Sequence, residues 1–392
     1  MDSWKEIEIR SGLTTIIDYR GKTPPKSEDG IPLISAANIK SGALDFSKPS
    51  FISLPDYKKW TRRGYTQPGD VLITTEAPAG EVALLPGDKV YQISRRVMAL
   101  RTDEKTLHNK FLFFVLQHQS VKGRLLAASR GSTVPRVLKT DITQLKIRVP
   151  SYDEQKSITA VLASLDDKID LLHRQNKTLE ALAQTLFRHW FIDGAEDDWD
   201  VVTVGDFAQI NASTVQRDYE HELIEYLDTG SITEGKVSGF QQYTLEDAPS
   251  RAKRLVKHND IVYSTVRPNQ KHYGIIKNPQ LNLVVSTGFC VITCDRIDPH
   301  FVYILLTQPD MTEYLHSIAE GSTSAYPSLK PSDIASLEFQ LPPKKRLDEF
   351  STIAQSCWGK IDRNSSQIRT LEKLRDTLLP KLMSGEVRVR LS

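Results

Sequence analysis

The chain holds the same order of segments twice, and that constrains its fold more than any other feature. Lys168-Ile169-Asp170 recurs as Lys360-Ile361-Asp362, and Thr178-Leu179-Glu180 as Thr370-Leu371-Glu372, both at an offset of 192 residues. Pro68-Gly69-Asp70-Val71-Leu72 is answered by His258-Asn259-Asp260-Ile261-Val262, and Gly131-Ser132-Thr133 by Gly321-Ser322-Thr323, both at 190. Ile39 and Gly42 match Ile232 and Gly235 at 193. An offset of about half the chain that barely drifts marks a duplicated module, not a short solenoid repeat. Such a duplication suits a partner with two similar halves, and duplex DNA is the obvious one.

After Pro150 the pattern turns helical. Ile158, Leu162, Leu165, Ile169, Leu172, Asn176, Leu179, Ala183, Leu186 and Trp190 recur at alternating steps of four and three, with Asn176 the only polar member. This is a heptad seam over more than four heptads. Glycine and proline are absent from Ser151 to Asp193, so some forty residues span roughly 60 Å of helix. The repeat supplies a second seam: Phe350, Ala354, Cys357, Ile361, Asn364, Ile368, Leu371, Arg375, Leu378 and Leu382. Cys357, Asn364 and Arg375 weaken it, Gly359 strains it, and Pro380 is expected to kink or end the helix. Each stripe must be buried. The economical solution is an intramolecular antiparallel pair with the globular modules at opposite ends; the alternative is that each helix packs on its own module. Asn176 and Asn364 occupy non-equivalent repeat positions, so the spacing does not oblige them to meet. Single seam asparagines can fix register.

Residues 1–150 and 199–342 combine short β-rich runs, such as Asp70–Thr75 and Asp260–Thr265, with a helical spacing over Asn109–Ala128 and its counterpart Pro299–Ala319. Each module reads as α+β. The net charge of +2 hides an asymmetry: residues 1–150 carry +9, 151–192 carry −1, 193–341 carry −11 and 342–392 carry +5. A basic first module fits a polyanion footprint. In the second, Asp193, Glu196, Asp197, Asp198 and Asp200 crowd the entry segment.

Several loops offer groups that reach bases and phosphates. In the first module these are Tyr19, Arg20, Lys22 and Thr23, then Lys59, Arg62 and Arg63 interleaved with Trp60 and Tyr65, and further on Arg95, Arg130, Ser132 and Thr133. In the second module Arg251, Lys253 and Arg254 are placed to neutralise phosphates. The run Thr265, Arg267, Asn269, Gln270 and Lys271 offers Arg for guanine and Asn or Gln for adenine. Ser322, Thr323 and Tyr326 complete the set. Any one of these taken alone reads equally as a solvated surface loop.

No GxxxxGK[ST] loop, cofactor-binding glycine turn or HExxH is present, so no catalytic constellation assembles. Asp166-Asp167 reads as a solvated pair, and His173 and His189 as surface or packing residues. Cys290, Cys294 and Cys357 form no CxxC pair, which argues against a disulfide framework or zinc ribbon. Met1–Arg10 lacks a signal-peptide core, and no stretch approaches the ~20 apolar residues of a membrane span. A cytoplasmic location is expected.

Val149-Pro150, Glu154-Gln155-Lys156, Leu165-Asp166-Asp167-Lys168-Ile169-Asp170, Asn176, Thr178-Leu179-Glu180 and Phe187…Trp190-Phe191 resemble the central conserved region of specificity subunits of type I restriction–modification systems. Leu378-Leu379-Pro380-Lys381-Leu382-Met383-Ser384-Gly385-Glu386-Val387 resembles the family's distal conserved region. Arg20-Gly21-Lys22-Thr23-Pro24, Gly131-Ser132-Thr133 and Ser264-Thr265-Val266-Arg267-Pro268 look like features of its target-recognition domains.

The resemblance implies an α+β fold with two tandem target-recognition domains and an antiparallel coiled coil, related by a pseudo-twofold internal repeat. It divides the chain into a first recognition domain (1–150), a central conserved helix (151–192), a linker (193–198), a second recognition domain (199–342), and a distal helix with tail (343–392). It further implies a non-catalytic subunit that reads a split, asymmetric sequence in double-stranded DNA. Two modification (methyltransferase) subunits and restriction (endonuclease) subunits would be its partners, with no membrane. S-adenosylmethionine, ATP and Mg would sit on those partners and no cofactor on this chain. Two other classes compete: a coiled-coil scaffold without nucleic acid, and a self-contained methyltransferase or nuclease.

Overall fold

The structure, a computed structural model, describes residues 4–19, 21, 23–131, 134–322 and 326–389. It forms two compact units. One holds residues 1–171 and 368–392, the other Leu172–Gln367. The divisions fall inside the two long helices, Tyr152–Phe191 and Lys344–Ser384. Each unit therefore contains a globular module, half of the central helix and half of the distal helix.

The two modules repeat one topology. In the first, a four-stranded antiparallel sheet runs in the order Leu13–Asp18, Val97–Thr102, Val71–Thr74, Val82–Leu84. In the second the order is Ala208–Ile210, Phe289–Cys294, Ile261–Ser264, Tyr273–Ile275. Alternation along the strands buries both faces. Val71, Ile73, Met98 and Leu100 face the helices, while Leu72, Val97 and Ala99 face Ile34, Ile39 and Ile93. In the second module Ile261, Tyr263, Cys290 and Ile292 face the helices, and Val262, Phe289 and Val291 face the other way.

The strand-entry turn carries a left-handed residue in both copies: Gly69 at φ 84° and Asn259 at φ 71°. Glycine and asparagine tolerate that region best, which explains the offset-190 match at Pro68–Leu72. Likewise Ser41-Gly42 and Glu234-Gly235, all at positive φ, form the two-residue turns of the hairpins Ile39–Lys40/Ala43–Leu44 and Ile232–Thr233/Lys236–Val237. Positive φ at both turn residues matches the twist of a hairpin. A second sheet, three-stranded in the first module and four-stranded in the second, contains one parallel pair in each: Ile31–Ile34 beside Gln92–Ile93, and Leu223–Leu227 beside Leu283–Ser286.

Each expected single helix is in fact two. Asn109–Gln117 and Gln119–Ala127 are separated by His118 at ψ 127°, and Pro299–Thr307 and Pro309–Glu320 by Gln308 at ψ 141°. Pro309 forbids Gln308 the helical conformation; no proline accounts for the break at His118.

Terminal strands close the modules. Lys5–Glu8 pairs with Lys146–Val149, and Val201–Thr203 with Glu338–Gln340, so each long helix begins a few residues after a closing strand. Ser151 caps the central helix through its hydroxyl, which accepts from Glu154 N–H, and Asp153 and Glu154 favour the positive end of the dipole.

Within each unit the helix halves run antiparallel. In the first, Glu154 lies near Arg388 (3.9 Å) and Asp166 pairs with Arg375 (3.0 Å). In the second, Asn176 meets Asn364 (2.8 Å), and Trp190 and Phe191 pack on Phe350. The seam asparagines thus do meet. Arg375, an intruder by sequence, is the partner of Asp166, which is therefore not merely a solvated acid. Burial raises the Asp166 carboxyl and Arg375 pulls against it; for Arg375, burial is outweighed by its hydrogen bonds to Asp166 and Asp376.

Ile158, Leu162, Ile169, Leu172, Ile361 and Ile368 are buried, whereas Leu165, Asn176, Leu179, Leu186, Leu371 and Leu378 are half-buried. The helix halves pack on modules as well as on each other, but neither helix keeps to a single module. Ile158 and Leu162 join Phe111, Leu112 and Leu382 in one core, and Ala183, Phe187 and Phe191 join Phe301 and Phe350 in another. The distal helix continues through Pro380 to Ser384 and does not end there. His173 and His189 are exposed, and the three cysteines are free. Among the described residues no helix is long and apolar enough to cross a membrane.

Candidate nucleic-acid interface

Antiparallel pairing sends the candidate loops of each module to one end of its main sheet. In the first, Met98 stands opposite Asp18, Val97 opposite Thr74, and Ile73 opposite Val82. The segments after Asp18, before Val97, after Thr74 and before Val82 therefore leave from a common edge. In the second, Ser264 stands opposite Phe289 and Tyr263 opposite Tyr273, which gathers the segment 265–272 and Thr287-Gly288 at the same place.

A pair of hydrogen-bonded clasps fixes these loops. Thr75 N–H donates to the Arg96 carbonyl (2.9 Å), and the Thr75 carbonyl accepts from Val137 N–H (2.9 Å). The counterparts are Thr265 N–H to the Gly288 carbonyl (2.9 Å) and Leu329 N–H to the Thr265 carbonyl (2.7 Å). Both threonine hydroxyls donate to the same carbonyls as their amides. Bridges Glu76–Arg136 and Val266–Ser328 extend the match. The loops preceding Val137 and Leu329 are thereby tied to the sheet end, bringing Arg130 and Tyr326 to it.

The clasp turns through left-handed residues at equivalent points, Ala77 (φ 52°) and Arg267 (φ 50°), with the Ala77–Pro78 bond cis. Side chains on this shared backbone differ. Glu76 bonds Arg96 at 2.8 Å in the first module. In the second the Arg267 guanidinium lies 4.9 Å from the ring centroid of Tyr326.

Of the residues singled out by sequence, Thr23, Lys59, Arg62, Arg63, Arg95 and Arg130 are exposed in the first module. Arg62 donates to the Lys59 carbonyl (3.0 Å) and Arg63 to the Asp18 carbonyl, so both help to hold the loop. Tyr19 is corrected: it is buried, with its hydroxyl donating to the Gly64 carbonyl (2.8 Å), and burial raises its phenol. Arg20, Lys22, Ser132, Thr133 and Thr323 lie outside the described residues.

In the second module Arg251, Lys253, Arg267, Asn269, Gln270, Lys271 and Tyr326 are exposed, whereas Arg254, Thr265 and Ser322 are half-buried. Thr287 N–H donates to the Arg251 carbonyl (2.8 Å), which sets Arg251 beside the clasp. Lys271 is tied to Glu234 at 2.9 Å. Much of the acidic excess lies elsewhere: Asp310, Glu313 and Glu320 on one helix, Asp333 and Glu338 near the closing strand. Glu196 in the entry segment pairs with Arg346 at 2.7 Å.

Sequence reasoning missed a buried polar cluster. Asp298 accepts from His300 Nδ1 (2.8 Å) and Gln355 (2.8 Å), and His300 Nε2 contacts Lys277 Nζ (2.8 Å). Burial lowers both His300 and Lys277. Gln355 belongs to the distal helix, so the cluster locks that helix to the second module; its four residues come from three separate segments and give no local signal. Among the described residues no group of His, Cys, Asp and Glu is placed to hold a metal.

Known proteins share this organisation. The model of the type I restriction modification DNA specificity domain matches residues 1–181 and 196–355. The type I restriction enzyme MjaIX specificity subunit of Methanocaldococcus jannaschii is 28% identical over 350 residues, covering 82% of this chain and 78% of that protein. The HindI specificity subunit of Haemophilus influenzae is 24% identical over 398 residues, covering 81% and 86%. The crystal structure of the type I restriction–modification S subunit from M. genitalium shares the fold, with a TM-score of 0.59 at 16% identity over 100% of this chain and 97% of that one. A family model matched twice over most of the chain settles the relationship: the chain belongs to the type I restriction–modification DNA specificity family.

Proposed function

We infer that this chain reads a bipartite, asymmetric DNA target, one half with each module, and that its helix pair sets the spacer and docks two modification subunits. The observation that carries the reading is the doubled clasp: matching hydrogen bonds hold the loops at both sheet ends, and the loops present different side chains in the two copies. Similar scaffolds suit the two strands of a duplex, and different side chains make the half-sites differ. Exposed cations at the sheet ends supply sequence-independent affinity. Chemistry belongs to the partners: methyl transfer from S-adenosylmethionine on the modification subunits, and ATP- and Mg-dependent cleavage on restriction subunits. The site of action is cytoplasmic.

The test is an exchange of residues 1–150 for the same region of a relative, followed by mapping of adenine methylation in a host that carries the modification subunit. One half of the split motif changes and the other stays. A change in both halves sinks the assignment of one half to each module, and no salt-sensitive DNA binding by the assembled complex leaves the scaffold reading in its place.

A further inference from the structure

The two clasps differ most at one point. Where the first module has Ala77 and Val134, the second has Arg267 and Tyr326. We propose that Arg267, braced on Tyr326, is the guanine-reading side chain of the second module; this rests on the recognition function inferred above. Its backbone is held from both sides. The Arg267 amide donates to the Pro327 carbonyl (2.9 Å), its carbonyl accepts from Gln270 N–H (2.9 Å), and buried Pro268 follows it. A non-glycine residue in the left-handed region persists only where its surroundings determine it, so the direction of the side chain is set before any ligand arrives.

The guanidinium is equally prepared. Its central carbon lies 4.9 Å from the Tyr326 ring centroid, a cation–π contact that uses the positive charge and takes up none of the N–H donors. It makes none of the ion pairs found among the described residues, in contrast to neighbouring Lys271, which is bound to Glu234. A rigid, planar, unneutralised fork matches guanine O6 and N7. A phosphate can also take such a fork, so the two targets are separated by the experiment below. Ala77 and Val134 share the backbone position but bring no donor, so the first module cannot read guanine from this point.

The experiment uses the full chain with its modification subunit in a host without adenine methylation, with motifs mapped by single-molecule sequencing. Wild type is compared with Arg267→Gly, which suits the left-handed backbone, and Arg267→Lys, which keeps the charge and loses the fork. The relevant half-site is the one left unchanged when residues 1–150 are exchanged. Wild type should require a guanine, or its cytosine complement, at one position there. In both variants discrimination at that position should fall roughly 5- to 150-fold, with the other half intact. An unchanged motif, or an equal loss at every site, overturns the proposal, the second assigning Arg267 to phosphate. If Arg267→Gly does not fold by circular dichroism, Arg267→Lys decides alone. A wild-type complex that methylates no split motif defeats the recognition reading itself, before any variant is compared.

Discussion

Gln155 fastens the start of the central helix to the first module, and the cost of removing it can be worked out. Its side chain is fully buried. Oε1 accepts from His108 N–H at 2.9 Å, while Nε2 donates to the carbonyls of Thr106 and Pro150, each at 3.1 Å. Gln155→Leu keeps the volume and leaves three backbone groups without this partner. A buried orphan costs about 1–3 kcal/mol, less for a carbonyl that has a second lone pair. The total is about 4 kcal/mol, offset by about 1 kcal/mol from apolar burial, so a net loss of roughly 3 kcal/mol is expected. Gln155→Glu keeps the acceptor but turns a carboxylate oxygen toward two carbonyls. Its carboxyl pKa would be raised by desolvation, so the folded state holds its proton more tightly than the unfolded one. Its stability is then greatest below the ordinary Glu value of about 4.3 and falls as pH rises through the raised value. Urea unfolding from pH 4 to 8, with hydrogen exchange at the His108 amide as the local probe, reads both effects. A Gln155→Leu protein within about 0.5 kcal/mol of wild type, with that amide still protected, would refute the argument.

Three further outcomes are expected. Asn364 is buried and donates to half-buried Asn176; Asn364→Ala should cost about 1–2 kcal/mol, and a double-mutant cycle with Asn176→Ala showing no coupling would disprove the pairing. Phe187, packed on Phe191, Phe301 and Phe350 at centroid distances of 5.3, 5.0 and 5.8 Å, should lose about 3–5 kcal/mol on truncation to alanine; a thermal midpoint no lower than that of exposed Leu182→Ala would count against it. Asp260 is buried, and burial raises its carboxyl against the opposing bonds from Thr293 and Lys257. A raised folded pKa means its stability contribution is present below the ordinary Asp value and lost as pH rises. Asp260→Asn should therefore gain on wild type between pH 4 and 8 in denaturant midpoints, and a flat difference would contradict the assignment.

The repeat offset made much of the fold legible, because several positions that demand a special backbone kept residues that tolerate it. Gly69 and Asn259 sit at left-handed φ, and Gly42 and Gly235 close hairpin turns. The seams were legible because a heptad stripe has one physical use. What stayed hidden depends on neighbours distant in sequence. Tyr19 looks like a basic-loop aromatic until Gly64, 45 residues away, takes its hydroxyl. Phe187 and Phe191 lie one position off the seam, yet they are buried because Phe301 and Phe350 approach from that side. Arg375 looked like a defect because its partner, Asp166, is 209 residues upstream. The break at Gln308 was readable from Pro309; the one at His118 was not.

The doubled clasp also accounts for how two copies of one fold can read different sequences. The bonds that shape it run between main-chain atoms of Thr75, Arg96 and Val137, or of Thr265, Gly288 and Leu329, and the only side chains they use are the two threonine hydroxyls. Main-chain bonds are indifferent to what the neighbouring residues carry. The side chains between the clasp points can therefore change without a stability penalty from lost clasp bonds. The copies show the result: Arg136 stands where the other module has Ser328, and Ala77 where it has Arg267. The cation stands in one loop in the first copy and in the other in the second, while the clasp bonds are the same. Recognition chemistry so mounted diverges by substitution at exposed positions, whereas the seam, where Asn364 needs Asn176 and Arg375 needs Asp166, can change only in pairs.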